Sequence, residues 1–119
     1  MERVYFTDHR GKKFLYIDMS NCKPEEFFEV IDKAKEIIRR QPEKSLFTLT
    51  DVTDTRYNPE MTDAVKTYVA GNKPYVVAAA VVGVTGMKQF IYNTIMKFSG
   101  RNVVAFDTME QAKEWLAKQ

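Results

Sequence analysis

The sequence predicts an α/β fold, a single domain in which a mostly parallel sheet with an N-terminal β-hairpin is flanked by four helices. Short β-prone runs alternate with segments whose apolar residues recur at helical spacing, and this alternation is typical of parallel sheets. Residues 75–82 form a continuous apolar run between Pro74 and Gly83, as in a parallel strand that is buried on both faces. We therefore expect the order ββαβαβαβα with right-handed crossovers and with residues 75–82 as a central strand.

The N-terminal elements are predicted from turn and capping residues. Residues 4–6 and 13–19 are β-prone, and the short polar connection between them contains Gly11, which predicts a hairpin. Proline is favoured at the first position of a helix, and Pro24 is followed by two glutamates, so the first helix begins there. Pro42 prevents this helix from continuing.

The later elements follow from the same kinds of signal. Asn58 and Pro59 supply a cap and a first-turn proline for the second helix, which ends at Gly71. The last helix begins with a capping box at residues 108–111. The other predicted elements are strands at residues 46–52, 75–82 and 102–106 and a third helix after residues 83–86.

Composition narrows the classes of function. The 119 residues carry a net charge of +2, and they lack the one-signed basic stripe that nucleic-acid binding needs. The longest apolar run is too short to span a bilayer, and the N-terminus has no signal-peptide pattern. The single cysteine, Cys22, excludes an internal disulfide. We expect one cytoplasmic domain, residues 1–119, with no nucleic-acid partner, no membrane span and no cofactor.

Two polar loops follow strands of the predicted sheet. Ligands of open α/β sheets bind beyond the carboxyl ends of the strands, so these loops are the candidate sites for a ligand or a partner. Asp51 and Asp54 are able to hold a cation or to accept a phosphoryl group, but the capping of turns is the interpretation we favour. The candidate residues are Asp51, Thr53, Asp54, Thr55, Arg56 and Tyr57 in the first loop and Gly83, Thr85 and Gly86 in the second.

The second loop is a GxxG turn. Backbone N–H groups at such a turn can bind an anion, but the turn lacks the lysine and the length of a P-loop, and we favour close strand–helix approach as its role. His9 is the only histidine and falls in a hairpin turn, where we expect a surface side chain. No catalytic set is complete, so we predict no catalytic residue and no metal site. The residues argue against an enzyme without excluding one.

The third helix carries apolar residues on two faces. Tyr92 and Met96 stand off the predicted core stripe, one turn apart, and Lys88 and Asn93 lie beside them. They either widen the buried arc or form a patch for a second subunit, and the second alternative predicts a homodimer face at Tyr92 and Met96. The core stripe is predicted to consist of Met87, Phe90, Ile91, Ile95 and Phe98.

Three segments resemble one known family. Residues 46–53 form a strand that ends in Asp-Val-Thr, residues 78–83 form an alanine-rich strand, and residues 103–116 combine a strand, a capped turn and a helix containing EQAKEWL. These segments resemble the STAS superfamily of anti-sigma-factor antagonists, and more closely its divergent SpoIIAA-like branch. The resemblance covers nearly the whole chain and implies a SpoIIAA/STAS-like α/β domain.

The resemblance also implies a function. In the family, a serine at the start of the helix after the corresponding strand is phosphorylated by a partner kinase, and the phosphate decides binding. Asn58 falls about where that serine would lie, and Thr53 and Thr55 are the loop threonines that would have to replace it. The resemblance therefore implies a non-enzymatic regulatory or protein-interaction module with a protein partner or a homodimer. The alternative is a binder of a small anionic or lipid-like ligand at the strand-end loops.

Overall fold

In the part of the chain that the structure describes, five strands form one sheet in the order in which they occur in the sequence, and four helices pack against it. The computed structural model describes residues 2–101 and 103–119, except for the side chains of Met87 and Phe98. β1 pairs with β2 in antiparallel orientation, and the other neighbouring strands pair in parallel. The predicted fold class is thus confirmed. The elements are β1 (Val4–His9), β2 (Lys12–Asp18), α1 (Pro24–Arg39), β3 (Leu46–Asp51), α2 (Pro59–Gly71), β4 (Val76–Val82), α3 (Met87–Ser99), β5 (Val104–Phe106) and α4 (Met109–Ala117).

Three of the helices begin where their capping residues predicted. α1 begins at Pro24 and α2 begins at Pro59. Asn58 caps α2, because its side-chain oxygen accepts the backbone N–H of Met61 at 2.7 Å. Thr108 caps α4 through its hydroxyl in the same way. Each cap satisfies an N–H group that has no partner within its own helix.

The helices are distributed unequally over the two faces of the sheet. Strands β2 to β5 follow one another across the sheet, so right-handed crossovers place α1, α2 and α3 on the same face. The core of this three-helix face contains the fully buried side chains of Phe27, Ile38 and Met61. α4 covers the opposite face with Ala112 and Leu116.

The strand predicted at the centre lies one position from the edge of the sheet. β3 is the central strand, and β4 lies between β3 and β5. Residues 79–82 are buried as predicted, but Val77 is 54% exposed. Val77 has no opposite residue in β3, because the register shifts between Leu46 and Phe47. Such a bulge interrupts the regular alternation of side chains. The prediction that residues 75–82 form the central strand and are almost wholly buried was therefore wrong.

α3 presents a different face to the core from the predicted one. Ile91 and Ile95 pack against the core as expected, but Phe90 is 75% exposed. Tyr92 and Met96 are half-buried and also pack against the core, so their predicted position off the core stripe was wrong. They widen the buried arc. The homodimer itself stays a prediction, but these two side chains do not form an exposed face for it.

Polar residues near the two ends of α3 lie on the face that the helix presents to the core. Lys88 donates from Nζ to the carbonyl of Val52 at 2.8 Å, and Ser99 is 8% exposed. Both lie on the helix face that carries Ile95, because residues three, four and seven positions apart share a face. Counting apolar residues alone does not reveal this face. The predictions for the side chains of Met87 and Phe98 and for Asn102 at the start of the last strand lie outside the described side chains and residues.

Candidate functional site

The loops after β2 and β3 have the same local structure. The Asp51 carboxylate accepts the backbone N–H of Thr53 at 2.9 Å and its hydroxyl at 2.6 Å. The Asp18 carboxylate accepts the N–H of Ser20 at 2.9 Å and also its hydroxyl. The backbone N–H of Asn21 donates to the carbonyl of Thr53 at 3.0 Å and connects the two loops. These bonds support the interpretation that Asp51 caps a turn.

The next residues of the first loop differ in exposure. Asp54 and Arg56 are exposed, and Asp54 has a φ of 57°. Thr55 is 2% exposed, and its hydroxyl accepts the N–H of Cys22 at 3.1 Å and donates to the carbonyl of Met19. The Thr55 hydroxyl is therefore part of the core, which argues against it as a phosphate acceptor.

The second loop is packed against the first. A Cβ atom at Gly83 would lie 2.5 Å from Oγ1 of Thr53 and 2.6 Å from its nitrogen, and the φ of Gly83 is +95°. Glycine is therefore required by both space and backbone conformation. Thr85 and Gly86 are exposed in the following turn. The structure thus brings Thr53 and Gly83 together and leaves Thr85 and Gly86 at the surface. Binding at these loops stays a prediction.

A cavity of about 100 Å³ lies on the three-helix face, under α2 and α3 and over β3 and β4. Tyr57, Tyr92 and Met96 are the predicted site residues that line it. Burial raises the pKa of Tyr57, whose ring packs edge-on against Phe27 with ring centroids 5.2 Å apart. Most of the cavity wall is apolar. It includes Val65, Val69, Val81, Ile91, Ile95 and Met96.

Asn72 contributes an unused hydrogen-bonding group to this cavity. It follows the last residue of α2, and its backbone N–H lies 3.2 Å from the carbonyl oxygens of Tyr68 and Val69. The Asn72 side chain is 3% exposed, and its Oδ1 has no hydrogen-bond partner among the described residues. A buried acceptor without a partner costs about 1–3 kcal/mol. A hydrogen-bond donor bound in the cavity would remove that cost.

Arg101 lies beside Asn72. Its Nη1 donates at 3.4 Å to the carbonyl of Val69, which also accepts the N–H of Asn72. Burial lowers the pKa of the Arg101 guanidinium, since desolvation disfavours the charged form. Within residues 2–101 and 103–119, no carboxylate forms an ion pair with it. Burial raises the pKa of Tyr68 nearby, and the Asn72 amide and the Arg101 charge oppose that rise.

A second cation lies at the other end of the cavity. α3 runs from the carboxyl end of β4 back to the beginning of β5, so Lys88 and Arg101 lie at opposite ends of it. No Asp or Glu is found among the described residues that line the cavity. The cavity therefore combines an apolar middle with two cationic ends, and one end also carries the unpaired acceptor of Asn72.

Sequence reasoning missed Asn72 and Arg101. Asn72 follows a predicted helix terminator, where a polar residue is ordinary, and Arg101 falls in a predicted connection. A signal was available at Lys88, which precedes Tyr92 by four residues and so shares its helix face. The sequence contains no local pattern that brings Asn72 and Arg101 together.

His9 belongs to a separate cluster. Its Nε2 lies 2.7 Å from Oε1 of Glu114, and Arg10 donates from Nε to the same oxygen at 2.6 Å. These two hydrogen bonds, that of His9 first, lower the pKa of Glu114. Donor atoms of His9, Glu110 and Glu114 lie within 4.8 Å of one another, a spacing that would suit a metal ion. Because Arg10 already binds Glu114, we interpret the cluster as an ion pair that joins the hairpin to α4. His9 is half-buried and bound, and not the surface side chain that was predicted.

The comparison with known proteins concerns the fold. No family model and no curated protein matches the sequence. The structure is similar to the crystal structure of an uncharacterized protein of the DUF3478 family from Shewanella loihica PV-4, which has a SpoIIAA-like fold. The similarity covers 95% of this chain and 91% of that chain, with a TM-score of 0.72 and 10% sequence identity. This chain has a SpoIIAA-like fold. The SpoIIAA-like fold that the sequence resemblance implied is thus confirmed.

In the part of the chain that the structure describes, no helix combines the length and the apolar character that a membrane span requires. At 10% identity the similarity carries no residue roles to this chain, so the function has to be argued from the cavity.

Proposed function

We propose that this chain is a non-enzymatic regulatory module that binds a small anionic ligand in the cavity under α2 and α3. One observation carries the proposal: Asn72, whose Oδ1 is unpaired among the described residues, and Arg101 lie together at one end of an apolar cavity. Sites for small molecules are typically apolar, with a few convergent polar groups that fix the orientation of the ligand.

This proposal places the ligand in the cavity and not at the strand-end loops. The Asp51 carboxylate already accepts hydrogen bonds from the N–H and the hydroxyl of Thr53. The Thr55 hydroxyl already donates to a buried backbone carbonyl. A ligand at the loops would have to compete with those bonds. In the cavity, by contrast, Oδ1 of Asn72 lacks a hydrogen-bond partner and Arg101 lacks a counter-ion among the described residues.

The side chains around the cavity support binding more than catalysis. The described lining residues include no His, Cys or carboxylate that would serve as a nucleophile or a general base. Burial raises the pKa of Tyr57 and of Tyr68, so both phenols stay protonated near neutral pH. The tyrosines and the Thr48 and Thr50 hydroxyls are therefore hydrogen-bonding groups.

α3 supports the regulatory part of the proposal. Ile91 and Ile95 on its inner side line the cavity, and Phe90 on its outer side is 75% exposed. A ligand that shifts α3 would move Phe90 with it, because packed helices move as rigid elements. We therefore propose that a protein partner or a second subunit contacts the surface around Phe90, and that ligand binding controls this contact.

Native mass spectrometry of the protein purified from its own cells tests the proposal. We expect the folded chain to carry a small acidic compound that is released on denaturation. The Arg101→Met variant should lose this compound, whereas Arg56→Met, which changes an exposed arginine of the strand-end loop, should retain it. A folded wild-type chain without a ligand, or an Arg101→Met variant that retains it, would contradict the proposal.

A further inference from the structure

The polar end of the cavity restricts the headgroup of the ligand. We propose that the ligand is a small 2-hydroxy carboxylate with a short branched apolar tail, an inference that rests on the proposed function. Its carboxylate accepts hydrogen bonds from the guanidinium of Arg101, and its hydroxyl donates to Oδ1 of Asn72. Its tail lies against the apolar wall that Val81, Ile91 and Ile95 contribute.

The two protein groups require different hydrogen-bond partners from the ligand. A guanidinium only donates hydrogen bonds, and an amide oxygen only accepts them. Both residues contact the same carbonyl, that of Val69: the backbone nitrogen of Asn72 lies 3.2 Å from it and Nη1 of Arg101 lies 3.4 Å from it. Asn72 and Arg101 therefore lie at the same end of the cavity, and at that end the ligand presents an anionic acceptor and a donor. A carboxylate with a hydroxyl on the neighbouring carbon satisfies both.

Charge favours a hydroxyl over an ammonium group as the donor. Arg101 and Lys88 are both cationic, and no carboxylate belongs to the described lining of the cavity. An ammonium group buried there would have no opposite charge in the protein, and burial of an unpaired charge is strongly unfavourable. A neutral hydroxyl has no such cost. The cavity should therefore reject an amino acid that has the same tail.

The size of the cavity limits the tail. A cavity of about 100 Å³ is smaller than the apolar cavity of about 150 Å³ that is known to take benzene. The apolar tail that enters it should therefore be smaller than benzene, with fewer than about six carbons. Branched aliphatic tails of four or five carbons match the valine and isoleucine side chains of the wall.

Calorimetric titration of the full chain with three acids of the same tail tests the inference. The probes are 2-hydroxy-4-methylpentanoate, 4-methylpentanoate, which lacks the hydroxyl, and leucine, in which an ammonium group replaces it. We expect the hydroxy acid to bind about tenfold more tightly than 4-methylpentanoate, since one buried hydrogen bond distinguishes them. Leucine should bind more weakly than both.

Variants assign each interaction to its residue. Asn72→Ala should remove the preference for the hydroxy acid over 4-methylpentanoate, and Arg101→Met should weaken both acids, whereas Arg56→Met should change neither. If Asn72→Ala does not fold, Asn72→Asp serves in its place. The added carboxylate should repel the ligand carboxylate and shift the preference toward leucine.

Two groups of outcomes separate this inference from the proposed function. Equal binding of the acids with and without the hydroxyl, or a preference that persists in the Asn72 variants, would overturn the hydroxy-acid assignment. If Arg101→Met still weakens binding in that case, the cavity remains the binding site. If none of the three acids binds, the assignment is also wrong, and mass spectrometry of the native protein decides independently whether the cavity holds another anion.

Discussion

The Thr55 hydroxyl joins the loop after β3 to the segment before α1. It bonds to the backbone of Cys22 and of Met19, and all three residues are buried. Backbone groups that lose contact with water need another partner, and here one side chain supplies it for two of them. As a loop threonine in the sequence, Thr55 was a candidate phosphate acceptor. Its hydrogen bonds depend on the segment between β2 and α1, which is distant in the chain.

Replacement of Thr55 tests this role. Thr55→Val keeps the shape of the side chain and leaves two buried backbone groups without a partner, so we expect the free energy of unfolding to fall by about 2–3 kcal/mol. Thr67→Val, on an exposed position of α2, should change it by about 0.5 kcal/mol or less. Urea unfolding of the two variants measures the difference. Equal stability would contradict the structural role of Thr55.

Glu114 makes the stability of the fold depend on pH. The hydrogen bonds from His9 and Arg10 hold the pKa of Glu114 below its ordinary value of 4.5. The unfolded chain therefore binds more protons at this residue, so its stabilising contribution is present above pH 4.5 and is lost as the pH falls below that value. Glu114→Gln should reduce the decrease in stability that acidification causes, whereas Glu110→Gln should leave that decrease unchanged. Thermal unfolding at a series of acidic pH values is the measurement, and identical profiles for the two variants would refute the assignment.

At the scale of elements, α3 combines two roles. Its inner side packs against the core and lines the cavity, and the hydroxyl of Tyr92 donates to the carbonyl of Val103. Burial raises the pKa of Tyr92, so this hydroxyl stays a donor near neutral pH. Its outer side exposes Phe90. The surface that a partner would contact and the wall of the ligand site therefore belong to one helix.

Charged substitutions on the two sides of α3 should have unequal effects on the free energy of unfolding. Changing Tyr92 and Met96 together to Glu places two unpaired carboxylates against the core, and we expect a loss of about 3 kcal/mol or more in the free energy of unfolding. Phe90→Glu is the control and should change stability by about 0.5 kcal/mol or less, because its side chain is in solvent. Urea unfolding distinguishes them. A double variant as stable as the control would restore Tyr92 and Met96 as candidates for a dimer face.

The sequence predicted those features of the elements that depend on local chemistry. Pro24, Asn58 and Thr108 mark the starts of their helices because caps act within one turn. The exposure of Phe90 was not predictable in this way, since neighbouring elements decide which face of a helix is buried. The same holds for the bulge at Val77, which depends on the pairing with β3.

At the scale of the whole molecule, strand order creates the candidate site. Because three helices share one face, α2 and α3 lie side by side over β3 and β4 and enclose the cavity. The same arrangement brings Arg101 to the carboxyl end of α2, where the helix dipole favours a cation. Asn72 and Arg101 meet there only because the chain folds this way. The sequence does not predict this juxtaposition, because it depends on the tertiary fold.

Methyl-detected NMR of the full chain, titrated with 2-hydroxy-4-methylpentanoate, tests the central claim most directly. The claim is that the ligand site is the cavity under α2 and α3. We expect intermolecular contacts between the ligand methyl groups and the side chains of Ile91, Ile95 and Val81, together with shift changes at Asn72. Shift changes confined to the strand-end loops around Thr53 and Gly83, with no ligand contacts to those methyl groups, would contradict it.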